Sequence, residues 1–174
     1  ETAPTGGVRA TITGNTMDTQ VAHGVFVSGA LSGSITHNTV RSSGLSGMFV
    51  QRSSQLTLTD NAISTSGNGG VLIGQESDVT APVGTGFVLL RNTVTGSRGA
   101  GGVNIRGTGT IQVADNTVTD SDGSGISIDA PAGDSFSTVM NNTVRQHGAH
   151  GIFVRGALNG SIHNNESEAS GCLL

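Results

Sequence analysis

Carboxylates and arginines stand where the chain departs from an otherwise regular spacing. Glu76 and Asp78 lie in one irregular stretch, Asp129 and Asp134 border another, and Arg106 falls between the two. Carboxylates from neighbouring segments can bind Ca²⁺ or can act as acid and base on a glycosidic bond. We therefore take these five residues as the candidate catalytic set, with solvated loop charges as the alternative.

A second acidic pattern, Asp-Ser-Asp-Gly from Asp120, has the alternating carboxylates with which a calcium loop begins. It lacks the third ligand and the terminal Glu of an EF-hand, so a plain turn is the alternative. Asp120 and Asp122 are thus the candidate metal ligands, and Ca²⁺ is the candidate cofactor. His147, His150 and His163 leave a zinc site open, beside the interpretation that they are solvated turn residues.

Composition and charge exclude several classes of partner. The chain has 174 residues and a net charge of −4, and its eight basic residues are all Arg and are scattered. Without a basic patch to follow phosphates, nucleic acid is not expected as a partner. No apolar run approaches the roughly 18 residues of a membrane span, so no membrane insertion is expected. Cys172 is the single cysteine and cannot form an internal disulfide.

The elements that would position these residues follow from a repeat. An asparagine recurs at intervals of 23, 23, 31, 24, 26 and 23 residues, at Asn15, Asn38, Asn61, Asn92, Asn116, Asn142 and Asn165. A short apolar segment follows each Asn, then a Gly-led strand, then a strand that ends at the next Asn. Apolar residues alternate along these strands with period two, which indicates half-buried β-strands, and no segment shows a helical period.

Three short strands per repeat predict an all-β fold, a parallel β-helix of about six coils, as a single domain over residues 1–174. Equivalent residues of successive coils would lie about 4.8 Å apart in columns. We interpret the asparagine column as structural, because stacked amides can satisfy each other and the turn backbone. The two longer intervals place insertions at about Gly74 to Gly86 and Ala130 to Ser135, on one edge, where loops commonly carry function.

Two further features point to interaction. The outward residues of the Gly-led strands form a column with adjacent apolar groups at one end: Phe26, Phe49, Leu72, Asn104, Ser127 and Phe153. Such a patch indicates a partner, a covering segment or a second chain, with incidental exposure as the alternative. At the last repeat, Ser167 replaces the usual Val or Ile, and Leu174 stands where the corner Gly is expected. The chain is therefore predicted to be a segment of a longer solenoid, or to self-associate end to end or laterally.

The repeat Asn-x-Val, followed by Gly-[Ile/Val]-x-[Ile/Val] and a strand returning to Asn, resembles the right-handed parallel β-helix repeat family over about Val8 to Asn165. That family includes pectate lyases, polysaccharide hydrolases, alginate epimerases and many secreted proteins without known activity. The resemblance implies a secreted or cell-surface location and an association with carbohydrate. The family's enzymes use clustered carboxylates with Ca²⁺, or Tyr, His, Lys or Arg, and no complete catalytic motif matches here.

Two functions remain open from the sequence. The first is a non-catalytic extracellular solenoid that acts as a structural spacer or as a binding and assembly module. It is favoured by the missing catalytic motif and by an echo in which the segment from Ala22 to Ile35 recurs, five coils later, from Ala149 to Ile162. The alternative is a polysaccharide-active lyase, hydrolase or epimerase, or a degenerate relative, with its site on the insertion edge.

Overall fold

The protein is an all-β stack of coils. The structure is a computed structural model that describes residues 8–74 and 85–169, with backbone alone at 131–134 and 157–158. None of the described elements is a helix long and apolar enough to cross a membrane. The strands in chain order are β1 Arg9–Thr13, β2 Thr16–Gln20, β3 Val25–Ser28, β4 Ser32–Thr36, β5 Thr39–Ser43, β6 Met48–Gln51, β7 Leu56–Thr59, β8 Ala62–Ser66, β9 Gly69–Ile73, β10 Thr85–Leu90, β11 Thr93–Ser97, β12 Gly101–Arg106, β13 Thr108–Ala114, β14 Thr117–Ser121, β15 Ser124–Met140, β16 Thr143–His147, β17 Ile152–His163 and β18 Glu166–Glu168.

Each coil contributes one strand to each of three faces, and all pairings are parallel. One face runs through β1, β4, β7, β10 and β13 into the second halves of β15 and β17. The second face is formed by β2, β5, β8, β11, β14, β16 and β18. The third is formed by β3, β6, β9 and β12 and the first halves of β15 and β17. The predicted parallel β-helix of about six coils is therefore confirmed.

The core is a set of apolar columns inside the three faces. On the second face Val40, Ile63, Val94, Val118 and Val144 are register neighbours and are all buried. Period-two alternation explains this burial, because every second side chain of a strand points to the same side. The β-branched side chains thus fill a narrow interior without a large aromatic residue at each level.

The inward columns lose their cover at the last described coil. Ile162 is the register neighbour of the buried Val139, as the predicted inward position requires, yet 56% of its surface is exposed. No described strand pairs with the far side of β17, so the column is covered on one side only. Burial of an inward residue therefore depends on having a coil on both sides.

A column of small residues lines one corner of the interior. Ser43, Ser66, Ser97 and Ser121 are register neighbours, are at most 3% exposed, and are followed in the column by His147. The corner Gly of the preceding coil lies beside each serine. A Cβ at Gly102, for example, would overlap the Val118 side chain and lie 3.0 Å from Ser121 Oγ. The recurrent corner Gly is thus a packing requirement.

The two predicted insertions differ in what the structure shows. Most of the first, residues 75–84, lies outside the described residues. The second lies inside β15, where the pairing with β17 shifts register between Ala130 and Ser135. Residues 131–134 of β15 thus stand opposite the single residue 157 of β17. The extra length of this coil is absorbed as a bulge at the corner between two faces.

Candidate functional site

The asparagine column is a continuous ladder of hydrogen bonds along the whole described stack. Asn38 Oδ1 accepts bonds from both the backbone N–H and the Nδ2 of Asn15, each at 3.0 Å. The same two-donor contact recurs at every step up to Asn165. Each Nδ2 from Asn38 onward also donates to a carbonyl of the preceding coil. Since the five central asparagines are at most 1% exposed, these amides serve the fold.

A polar column flanks the ladder on the outside. From Asn38 onward, the residue before each ladder Asn has a left-handed backbone, with φ between 51° and 58°, at His37, Asp60, Arg91, Asp115, Asn141 and Asn164. Arg91 donates to both carboxylate oxygens of Asp60, at 2.8 and 2.9 Å. This bond lowers the pKa of Asp60 and raises that of Arg91. Farther along, Asn141 donates to Asp115 at 3.1 Å. These polar groups are therefore engaged with the neighbouring coil.

Of the five candidate catalytic residues, the structure brings Arg106 and Asp129 together. They are register neighbours on β12 and β15, and Arg155 of β17 is the next residue in the same column. Arg155 donates two hydrogen bonds to the carboxylate of Asp129, from Nε at 3.2 Å and from Nη2 at 2.6 Å. These bonds raise the pKa of Arg155. Sequence reasoning missed Arg155, although its place one coil after Asp129 was a usable signal. The carboxylate of Asp129 is thus held in an ion pair.

The other three candidates of this set are not tested by the structure. Asp134 lies in the bulge of β15, where the backbone alone is described. Glu76 and Asp78 lie outside the described residues. Their convergence with Asp129 and Arg106, for Ca²⁺ binding or for catalysis, therefore stays a prediction.

The calcium candidates Asp120 and Asp122 are both exposed at the end of β14 and in the turn that follows. Asp120 has a left-handed backbone, with φ 57°, as turn residues often do. Within residues 8–74 and 85–169, no three His, Cys, Asp or Glu side chains are grouped so that they could hold a metal ion. A zinc site at His147, His150 and His163 is therefore not formed, and Ca²⁺ binding at the two aspartates stays a prediction.

Aromatic side chains cluster on the outer surface of β3 and β6. The ring centroid of His23 lies 5.9 Å from that of Phe26 and 4.8 Å from that of Phe49. Its Nδ1 accepts the backbone N–H of Ser46 on the next coil, at 3.3 Å. Partial burial lowers the pKa of His23. Phe26 is 53% exposed, so the predicted apolar patch is present at this end of the column.

Leu72 behaves differently from its neighbours in that column. It is the register neighbour of Phe49 and Asn104, as predicted, but it is only 4% exposed. Its side chain lies over Gly69, where a Cβ would come within 2.6 Å of Leu72 Cδ2. The exposed apolar surface is therefore smaller than the sequence indicates. A second aromatic pair, His150 with Phe153 at 5.1 Å, repeats the arrangement five coils away.

Comparison with known families agrees with this geometry. The profile of the right handed beta helix region matches residues 3–82 and 24–172. The chain belongs to this right-handed β-helix family. No curated protein and no solved structure matched the chain. Since the coils of a β-helix define the scaffold and the site is carried by particular residues, membership shows the fold and leaves the activity to be argued from the site.

The last two described coils of the β-helix bring together two residues that sequence reasoning considered only separately. Ser167 takes the place of the inward Val in the column that contains Val144, and His147 takes the place of the corner Ser in the column that contains Ser121. The two departures meet, because Ser167 Oγ lies 3.2 Å from His147 Nε2. His147 is 9% exposed, and its Nδ1 has no hydrogen-bond partner among the described residues.

Proposed function

We propose that this β-helix is a non-catalytic extracellular solenoid that acts as a rigid structural spacer or as a binding and assembly module. The observation that carries the proposal is the unbroken ladder from Asn15 to Asn165. Every coil is bonded to the next by the same contacts, which favours a stiff rod over a hinged body. Six steps of about 4.8 Å give a spacing of roughly 29 Å along the axis.

The use of charge supports the same function. Several Arg–carboxylate pairs join neighbouring coils: Asp18 with Arg41, Asp60 with Arg91, Asp129 with Arg155, and Glu166 and Glu168 with Arg145. Exposed ion pairs of this kind contribute little stability each. Their effect on chemistry is larger, because a carboxylate held by an arginine is a poor general base. Most of the charge in these columns is thus engaged in contacts between coils.

A secreted or cell-surface location is part of the proposal. It is supported by the resemblance of the repeat to the right-handed parallel β-helix family, because many members of that family are secreted. The aromatic cluster of His23, Phe26 and Phe49 supports the binding component, because an exposed ring beside a second ring is a surface that water disfavours.

A two-part experiment tests the proposal. Small-angle scattering of the purified chain is expected to give a rigid particle of constant cross-section with a rise of roughly 29 Å along its axis, and light scattering reports any end-to-end or lateral association. In parallel, uronate polymers and neutral glycans are incubated with the chain, with and without Ca²⁺. Turnover of any of these polymers would overturn the non-catalytic assignment, and a hinged or partly unfolded particle would overturn the spacer.

The alternative, a polysaccharide-active enzyme or its degenerate relative, is favoured by one observation. Arg106, Asp129 and Arg155 form a row of alternating charge across three strands, which suits an acidic glycan. If the glycan screen shows activity, Asp129→Asn and Arg106→Gln are expected to reduce it by at least about 100-fold. Asp18→Asn, which alters an ion pair on another face, serves as the control. Activity that survives both changes would place the site elsewhere.

A further inference from the structure

Asn68 differs from the ladder asparagines in every respect that bears on its chemistry. It is exposed, in the short turn between β8 and β9, and its side-chain amide forms no hydrogen bond with the described residues. The buried ladder asparagines, by contrast, use both Oδ1 and Nδ2. Asparagine is a thermolabile residue, and an unbonded carboxamide is free to react.

The residue that follows Asn68 is a glycine that packing keeps in place. A Cβ at Gly69 would come within 2.6 Å of Leu72 Cδ2, so a larger residue would displace the Leu72 side chain. With no side chain at position 69, nothing screens the peptide nitrogen of Gly69 from the carboxamide of Asn68. The asparagine and the unscreened nitrogen are therefore neighbours in the middle of the stack, with coils on both sides.

The fold does not require an asparagine at this corner. Backbone bonds place Leu45 and Ala100 at the equivalent positions of the adjoining coils, because Asn68 N donates to Leu45 O at 3.0 Å and Ala100 N donates to Asn68 O at 2.8 Å. Neither residue carries an amide side chain. Both backbone groups of Asn68 are thus bonded to neighbouring coils, and an extra main-chain atom here would disturb contacts on both sides.

We propose that Asn68 is a site of spontaneous deamidation and isomerisation, with water as the only reagent. Gly69 N attacks Asn68 Cγ, the bond from Cγ to Nδ2 breaks, and ammonia leaves with the proton of the peptide nitrogen. The product is a five-membered succinimide. Water then opens the ring. Cleavage of the new bond to Cγ gives aspartate, and cleavage of the original peptide bond gives isoaspartate, in which the main chain runs through Cβ and Cγ.

Isoaspartate changes the backbone at a position that both neighbouring coils hold. It adds one methylene to the main chain between β8 and β9, while Leu45 O and Ala100 N stay with their own coils. The bonds at this corner cannot all be kept, so the stack should lose stability as the protein ages. This inference is independent of the spacer function.

The test compares the folded chain with the chain in urea during incubation at mildly alkaline pH. The tryptic peptide from Ser53 to Arg91 holds Asn61 of the ladder and Asn68, so fragmentation of one peptide follows both residues. We expect Asn68 to lose its amide in the folded chain at a rate within about 10-fold of that in urea, because no strand must open first. Asn61 should stay intact. Protection of Asn68 by folding beyond that range would overturn the proposal.

Two variants separate the modification from its consequence. Asn68→Ala places at this corner the residue found at Ala100 and is therefore expected to fold. After incubation, the parent should contain isoaspartate at residue 68 and unfold at lower urea concentration, whereas Asn68→Ala should keep its midpoint. Asn68→Asp, measured fresh, is the matched control for the added charge and should unfold close to the parent. An equal loss in aged Asn68→Ala, or an aged parent without isoaspartate at residue 68, would contradict the proposal.

Discussion

Asn92 Oδ1 accepts two hydrogen bonds from Asn61, one from the backbone N–H at 3.1 Å and one from Nδ2 at 2.9 Å. Asn92 Nδ2 in turn donates to Leu58 O and to Asn116 Oδ1. One buried side chain therefore satisfies polar groups on three coils, and the ladder fails locally if it is removed.

Asn92→Ala removes the acceptor of two N–H groups of Asn61, one on the backbone and one on Nδ2, whereas Asn116 Oδ1 keeps the backbone N–H of residue 92. At about 1–3 kcal/mol for each buried unsatisfied group, the free energy of unfolding should fall by roughly 2–6 kcal/mol. Urea unfolding followed by circular dichroism measures it. Asn15→Ala is the matched control, because Asn15 belongs to the same ladder but is exposed, and its loss should cost less. Equal losses for the two variants would contradict a structural role for burial.

For the serine column we expect the opposite effect on stability: removing a buried side-chain polar group should not destabilise the fold. Ser97 Oγ is buried and has no partner among the described residues. Ser97→Ala removes an unsatisfied hydroxyl without adding volume, so the free energy of unfolding should stay within about 1 kcal/mol of the parent or increase. The same urea titration applies. A loss well above that range would mean that the hydroxyl has a partner, such as an ordered water.

Acid should weaken the coil that carries His23. The pKa of this histidine is lowered from 6.5 because burial disfavours its charged form. The unfolded chain then binds a proton more readily than the folded chain, so the stabilisation is present above pH 6.5 and is lost as pH falls through the folded pKa. Protonation also removes the Nδ1 lone pair that accepts the Ser46 N–H.

His23→Phe keeps a ring against Phe26 and Phe49 but cannot titrate. Unfolding midpoints in urea between pH 8 and pH 5 are expected to fall more steeply for the parent than for this variant. Parallel pH profiles would show that His23 does not couple to folding.

Truncating side chains of the outward apolar column to Ala should lower the free energy of unfolding by different amounts at different positions. Leu72 is 4% exposed, and Phe26 is 53% exposed. Leu72→Ala should lower the free energy of unfolding by roughly 2–3 kcal/mol, near the low end for buried Leu, because one side of the residue faces outward. Phe26→Ala removes a larger side chain and should nonetheless cost less. The reverse order would mean that Phe26 packs against more of the stack than its exposure indicates.

The sequence predicts the coils well because two physical requirements recur at every level. Alternating apolar residues must face one interior, and a buried Asn must find partners, so Asn38 and Val40 identify their places without a structure. What escaped prediction depends on the directions of side chains. Leu72 occupies its predicted outward position, but its side chain packs over Gly69. Asp129 forms an ion pair with Arg155 of the next coil. The contact of His147 with Ser167 escaped too, because it joins residues from two columns.

Each ladder Asn gives its neighbour the same bonds that it receives from the other side. A whole coil can therefore be duplicated or deleted and the flanking coils meet identical partners, with no new interface to evolve. The similarity between the segments from Ala22 and from Ala149 fits growth of this kind. The length of such a β-helix can therefore change in evolution by whole coils. Each added or lost coil changes the axial length by about 4.8 Å while the cross-section stays constant.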